Sequence, residues 1–451
     1  IVYEHKTLSI MILRIILKNF LSFDNEVQFD MFPNMKRTHL NHHIYTQFGE
    51  VPVLKQAAIY GANGAGKSNL IKALEFIRTF ACDKNFIRKI ELQKFFYLLK
   101  SNPTADPICI AVEFEFQKKY FFYEVEIGMT GVLRESLSET FPKEERMVLV
   151  FERKKNKVIY ADGVEVDDAI ADATQKMLTK NQMSSLLSLN AEFPIVQDNR
   201  CRLALKWFRS KLEIIGVHSF LPSLIDLLRD DKAMMEFARK LVFALEVGVR
   251  DLNLVENDFD QWAQSHIKLA NTLPDDFDKV ESLSLNANNT PVLSINVEDG
   301  VRKVYQLIFD NMGKDGFVGH LDTSSQSDGT LRALTLLPAL YFASKKGKTV
   351  IVDEINYCLS PTMVKGIVEF FAKTNDTNGQ LIFTTHDTAL LEAKDVLRSD
   401  EIWFVDKREG ASVLYSHNDF KEHSTISTLR GYNEGRYGAI RFVNLLNGYV
   451  E

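Results

Sequence analysis

Eight residues constrain this chain more than any other feature: Gly61, Ala62, Asn63, Gly64, Ala65, Gly66, Lys67 and Ser68. They satisfy GxxxxGK[ST] and stand between a mostly apolar run, Val53 to Tyr60, and a stretch from Asn69 to Ala81. In that stretch Leu70, Ile71, Leu74, Ile77 and Ala81 share one helical face. The order is therefore strand, glycine loop, helix. Glycines let backbone N–H groups curl around phosphate oxygens, and the following helix points its positive end at them. Lys67 is expected to neutralise the β- and γ-phosphates of ATP and the Ser68 hydroxyl to ligate Mg2+. Gly61, Asn63, Gly64, Gly66 and Asn69 complete the expected nucleotide contacts.

Two further groups suit the same chemistry. Val350, Ile351 and Val352 form a short apolar strand that ends in Asp353 and Glu354. Asp353 fits the role of holding the metal, and Glu354 that of orienting or deprotonating a water. A third apolar run, Leu381 to Thr385, ends at His386, where an imidazole at the carboxyl edge of a parallel sheet can meet a γ-phosphate.

Around these pieces the pattern is α/β. Ile12 to Phe20 and Val27 to Met31 read as an opening hairpin, and Ile108 to Phe116 with Tyr120 to Ile127 as a second, turning near Gln117, Lys118 and Lys119. Strands Met147 to Phe151 and Lys157 to Tyr160 are followed by helical stretches at Asp167 to Leu189 and Ser223 to Glu246. From Ser324 the pattern returns to helix, strand (Thr349 to Val352), helix (Pro361 to Lys373) and strand (Gln380 to Thr385), the alternation of a parallel sheet. The expected organisation is an N-terminal half of a nucleotide-binding head (11–130), an inserted, mostly helical lobe (131–318) and a C-terminal half of the head (319–451). No sustained heptads run through the lobe, so a long coiled-coil arm is not expected.

Composition narrows the function classes. A net charge of -6 argues against a nonspecific polyanion binder, although a local basic groove stays open. Cys82, Cys109, Cys201 and Cys358 are too far apart for a CxxC pair and read as reduced, buried thiols. No run approaches a membrane span and no signal peptide is evident, so the expectation is a cytoplasmic protein without membrane contact. His42 and His43 have no third ligand beside them in sequence. Trp207 and Phe208, spaced with Leu203 and Leu212, read as core of the inserted lobe.

A fourth motif carries a resemblance. Gln326, Ser327, Asp328, Gly329 and Thr330 precede the helix Leu331 to Phe342 and stand upstream of Asp353. They resemble the signature loop of ABC and SMC ATPases, with Ser327 and Gly329 at its serine and second glycine. Asp328 replaces the glycine of the transporter form, and the SxGT pattern resembles ATPases related to SMC and RecF-like proteins. The stretches Lys18 to Phe23, Ala58 to Asn63 and Gly435 to Ile440 further resemble the RloA-type ATP-binding proteins of bacterial defence loci, related to the PARIS and OLD-type ATPases. Arg441 departs from that family's usual proline, and the likeness runs from Met11 to about Leu446.

The resemblance implies an ABC/SMC-type P-loop head with an antiparallel β subdomain and an inserted, mainly helical lobe. It implies a homodimer or higher oligomer in which Ser327 and Gly329 of one head meet the γ-phosphate held by the other, so that ATP glues an isologous interface. It also implies a slow ATPase beside a separate effector, a Toprim-like or other nuclease, in antiphage defence. A RecF-like repair clamp that binds DNA is the alternative, its best basic cluster being Arg153, Lys154, Lys155 and Lys157. An OLD-type built-in nuclease is not expected, because no glycine-flanked glutamate followed by DxD comes after His386.

Overall fold

The computed structural model describes residues 10–46, 50–161, 163–164, 166–192, 198–217, 224–271, 273, 282–287, 290–374, 377–393, 395–420 and 427–439, the side chains of 269, 285–287 and 290–292 apart. It falls into two compact units. The first comprises residues 1–214, 342–355 and 367–451, and the second residues 215–341 and 356–366.

Among the described residues the first unit holds a two-stranded sheet, Ile44–Tyr45 with Val53–Leu54, and two large ones. One is antiparallel and seven-stranded, in the order Lys157–Tyr160, Arg146–Lys154, Gly131–Phe141, Lys119–Gly128, Ile108–Phe116, Ile10–Lys18, Val27–Asp30. Its hairpin between Phe116 and Lys119 turns through Gln117 and Lys118, both with positive φ, the geometry a two-residue connection needs to match strand twist. The other sheet has six strands in the order Leu212–Ile215, Thr349–Val352, Gln380–Thr385, Gln56–Tyr60, Ile402–Arg408, Ala411–Ser416. Thr349–Val352, Gln380–Thr385, Gln56–Tyr60 and Ile402–Arg408 run parallel, and Ala411–Ser416 closes the edge antiparallel.

Thr349–Val352, Gln380–Thr385 and Gln56–Tyr60 are buried at every position, which is why they read as short apolar runs rather than alternating ones. Gln380 ties the two sheets together: its amide accepts from Ile12 N–H at 2.7 Å and donates to the carbonyls of Ile12 and Leu54 at 3.1 Å each. Helix Lys67–Cys82 buries Leu70, Leu74, Phe76, Ile77 and Phe80. Phe76 meets Phe20 edge-on at 5.5 Å.

The second unit is built on an antiparallel sheet in the order Val249–Asp258, Val301–Met312, Thr290–Glu298, Ser282–Ala287, with Val318–Asp322 also pairing Val301–Met312. Helices Leu224–Asp230, Lys232–Ala244 and Phe259–Ser265 accompany it. Asp226 accepts hydrogen bonds from Ser284, Ser294 and Asn296 and so fixes the first of these helices to the sheet.

Among the described residues of 131–318 helix does not predominate over strand, contrary to expectation. Gly131–Phe141, Arg146–Lys154 and Lys157–Tyr160 extend the first unit's antiparallel sheet, and residues 249–322 supply the second unit's sheet. The misreading has a cause in the buried polar side chains of Gly131–Phe141, where Glu135, Ser136, Ser138 and Glu139 blur the alternation. Trp207 and Phe208 are core residues of the first unit, not of an inserted lobe: Trp207 stacks on Phe114 at 4.2 Å and 15°, and Phe208 meets Tyr123 at 5.5 Å. Of the four cysteines Cys201 is buried, Cys82 and Cys109 are partly covered, and Cys358 is exposed. Ser223, Ile440, Arg441 and Leu446 lie outside the described residues.

Candidate functional site

The phosphate loop leaves the carboxyl end of Gln56–Tyr60 and enters helix Lys67–Cys82. Its conformation demands glycine at two points. At Gly61 a Cβ would sit 2.4 Å from the Val405 carbonyl oxygen. At Gly66 φ is +119°, and a Cβ would sit 2.3 Å from Ser412 Oγ and 2.6 Å from Ser22 Oγ. Asn63 and Gly64 are exposed at the tip, and Ser68 and Asn69 are half-buried.

Lys67 lies at the start of the helix with only 4% of its side chain exposed. Its ammonium donates to the Gly61 carbonyl at 2.8 Å and lies 3.3 Å from Glu354 Oε1. A buried ammonium next to curled backbone N–H groups is a receptor for dense negative charge.

The paired carboxylates follow Thr349–Val352. Asp353 is buried. Glu354 occupies the left-handed region with φ 48°, a conformation that a non-glycine residue holds only when its surroundings fix it. The next strand supplies that fixing. Thr384 Oγ1 donates to Asp353 Oδ1 at 2.6 Å and accepts from Glu354 N–H at 2.7 Å, while the Thr384 carbonyl accepts from Ile355 N–H at 3.0 Å. Two residues on, His386 Nδ1 is 2.9 Å from Glu354 Oε2. The phosphate loop, both carboxylates and the histidine are thus gathered within one unit.

Ser327 and Gly329 stand in the second unit. The Ser327 hydroxyl accepts from Thr330 N–H at 3.2 Å at the head of helix Asp328–Lys346. This is the helix-capping role open to a serine there. Gly329 has the Cys358 carbonyl 3.2 Å from where a Cβ would be.

Three residues escaped the sequence. Ser22 belongs to the Lys18 to Phe23 stretch without a chemical role visible in the sequence, Ser412 carries no signal, and Thr384 reads only as strand. Ser22 and Ser412 brace the phosphate loop: Ser412 Oγ is 2.7 Å from Ser22 Oγ and hydrogen-bonds the Ala65 carbonyl, and Asn69 Nδ2 donates to Ser22 Oγ at 2.8 Å. They are 390 positions apart, so no local pattern could pair them.

Beneath the loop Tyr60 packs against Phe404 and Tyr432 at 6.3 and 6.1 Å. Burial, with Asp387 nearby, pushes its phenol well above the ordinary tyrosine range and keeps it neutral. The Gly435–Ala439 part of the C-terminal motif has a packing role. Tyr437 stacks on Phe404 at 5.3 Å, and Gly438, at φ +67°, has Tyr415 Oη 2.7 Å and Asp406 Oδ2 2.9 Å from where a Cβ would be.

The basic cluster does not form one exposed face, because Arg153 is fully buried. It lies 3.6 Å from Glu135 and donates to the carbonyls of Lys155, Ser184 and Gln182. His43 is likewise buried, 2.9 Å from Glu401.

A family model described as "AAA domain, putative AbiEii toxin, Type IV TA system" matches residues 57–159 and 194–392, more than half of the chain. No curated protein matches. Solved structures similar to the chain include an SMC head bound to the C-terminal winged-helix domain of ScpA, at 15% identity, TM-score 0.45, covering 90% of this chain and 97% of that one. The SMC head domain from Thermotoga maritima matches at 13% identity, TM-score 0.39, covering 90% and 98%. An SMC head with an extended coiled coil bound to the C-terminal domain of ScpA, from Pyrococcus furiosus, matches at 14%, TM-score 0.42, covering 95% and 99%.

Proposed function

Because the chain belongs to this AAA-domain family and has the α/β fold of an ABC/SMC-type ATPase head, we propose that it binds and slowly hydrolyses ATP as a molecular switch. Two or more heads close on the nucleotide, and the cycle controls a separate effector, a Toprim-like or other nuclease, in bacterial antiphage defence. The observation that carries the ATPase reading is the buried Lys67 ammonium, 3.3 Å from a Glu354 whose other oxygen is 2.9 Å from His386.

The residues present fit Mg-ATP. The loop has a cradle that a side chain at Gly66 would fill, a buried cation for the phosphates, and a hydroxyl and a carboxylate for the metal. Gly61, Asn63, Gly64, Gly66, Lys67, Ser68 and Asn69 would hold the triphosphate, and Ser68 and Asp353 the Mg2+. When bound, the metal supplies charge neutralisation to the phosphoryl oxygens. Lys67 adds a fixed positive charge where negative charge grows, which costs no reorganisation during the reaction. Glu354 orients the attacking water and takes its proton, and His386 steadies that carboxylate. In the dimer, Ser327 and Gly329 of each head face the nucleotide of the other. The family description refers to a type IV TA system, which supports a place in such a system.

The test is mass photometry of the wild type and Glu354→Gln with and without Mg-ATP, alongside a pulldown from the native locus. ATP-dependent assembly, strengthened in Glu354→Gln, together with a co-purifying nuclease supports the switch. Dimers that retain only DNA would replace it with a RecF-like clamp. No ATP binding would overturn the reading.

A further inference from the structure

We propose that Thr384 is a positioning residue for the phosphoryl chemistry: its hydroxyl sets Asp353 for the metal and Glu354 for the water. The inference rests on the ATPase reading above and names a residue that reading does not use. Thr384 is fully buried on Gln380–Thr385, which runs parallel to Thr349–Val352 with Val352 beside Phe383, so position 384 falls beside Asp353, the residue that follows that strand. Asp353 Oδ1 accepts from its hydroxyl at 2.6 Å and Glu354 N–H donates to it at 2.7 Å.

The direction of both bonds is forced. A hydroxyl has one proton and two lone pairs, an amide N–H can only donate, and an ionised carboxylate can only accept. The proton therefore goes to Asp353 and a lone pair to Glu354. Thr384 also grips the far side of Glu354, its carbonyl accepting from Ile355 N–H at 3.0 Å. One residue thus holds the left-handed turn at Glu354 from both ends and engages one oxygen of Asp353. His386, two residues further along the same strand end, holds the Glu354 carboxylate at 2.9 Å. Groups that hydrogen-bond a metal-ligating carboxylate set its orientation and the affinity of the site.

The test compares Thr384→Val, which keeps the shape and removes the hydroxyl, with Thr384→Ser, which keeps the hydroxyl. A fluorescent ATP analogue is titrated in EDTA, Mn2+ affinity of the nucleotide-bound protein is measured by EPR, and kcat, KM and Tm are recorded. Thr384→Val should bind metal-free nucleotide like the wild type, lose about 10- to 100-fold in Mn2+ affinity and in kcat with little change in KM, and be rescued by Thr384→Ser. Wild-type Mn2+ affinity and kcat in Thr384→Val would overturn the proposal. So would a Thr384→Ser variant as impaired as Thr384→Val, or an equal loss of metal-free nucleotide binding, which marks general damage. A wild type that binds no ATP would overturn the ATPase reading, and this proposal with it.

Discussion

The Lys67 ammonium lies 3.3 Å from Glu354 Oε1, joining the phosphate loop to the end of the neighbouring strand. A second bond at 2.8 Å holds the same ammonium to the Gly61 carbonyl, so the cation is aimed by the loop as well as by its charge partner. Its two attachments separate two roles. Removing the carboxylate charge leaves the Gly61 bond, whereas removing the ammonium strips the loop of its cation.

Glu354→Gln is accordingly expected to keep ATP affinity while turnover falls by about 100-fold or more, the usual worth of a positioned general base. Lys67→Ala should lose affinity first. Nucleotide titration and phosphate release measure the two effects separately. Turnover in Glu354→Gln within a factor of a few of the wild type would remove Glu354 from the proton-handling role.

Gly66→Ala should destabilise the protein by about 1 to 3 kcal/mol and abolish tight ATP binding. Its Cβ would meet Ser412 Oγ and Ser22 Oγ, and both hydroxyls are held by their mutual bond at 2.7 Å. Gly64 offers the control: its φ is also positive, but nothing lies within 4 Å of where a Cβ would be. Gly64→Ala should cost only the left-handed backbone penalty, about 1 kcal/mol. Equal Tm losses in the two variants would show that the serine brace is not what confines Gly66.

These contrasts mark how far the sequence could be read. Ile108–Phe116, Lys157–Tyr160, Thr349–Val352 and Gln380–Thr385 were expected with the bounds they have, because each is a short apolar or alternating run with clear flanks. The phosphate loop, the paired carboxylates and His386 were legible because each is a local pattern at a strand end. The Ser22–Ser412 brace was not, since it joins distant positions through small polar side chains that are common everywhere. Nor could Thr384 be told from its neighbours: whether a strand hydroxyl meets a carboxylate depends on which strand lies beside it. In Gly131–Phe141 the buried Glu135 and Glu139 hid a strand that the backbone nonetheless builds.

Glu115 gives a pH dependence. Burial pushes its carboxyl up to about 8 from an ordinary 4.5, and the Lys118 N–H at 3.1 Å pulls more weakly the other way. Between those two values the folded chain holds a proton that the unfolded chain has lost. Stability present below the lower value is therefore lost as pH rises toward and through the upper one, at about 1.4 kcal/mol per pH unit in between. Glu115→Gln keeps an acceptor for Lys118 and cannot ionise, so its Tm should fall less than that of the wild type between pH 5 and pH 8.5. Parallel Tm profiles would place the proton elsewhere.

Arg153 decides between a structural and a nucleic-acid role for the basic cluster. It is fully buried beside Glu135, and its guanidinium serves carbonyls at Lys155, Ser184 and Gln182. Glu135 in turn accepts from Leu186 N–H at 2.7 Å and Leu187 N–H at 3.0 Å, so the pair anchors the start of helix Leu186–Glu192 to the sheet. Arg153→Met should cost about 3 to 5 kcal/mol in urea unfolding, because a buried carboxylate loses its cation. Arg153→Lys keeps the charge but lacks the planar fork that reaches several carbonyls, and should fall between the two. DNA affinity per folded molecule should be unchanged in both. A Met variant as stable as the wild type but weaker on DNA would put Arg153 at the surface and return the clamp reading to the front.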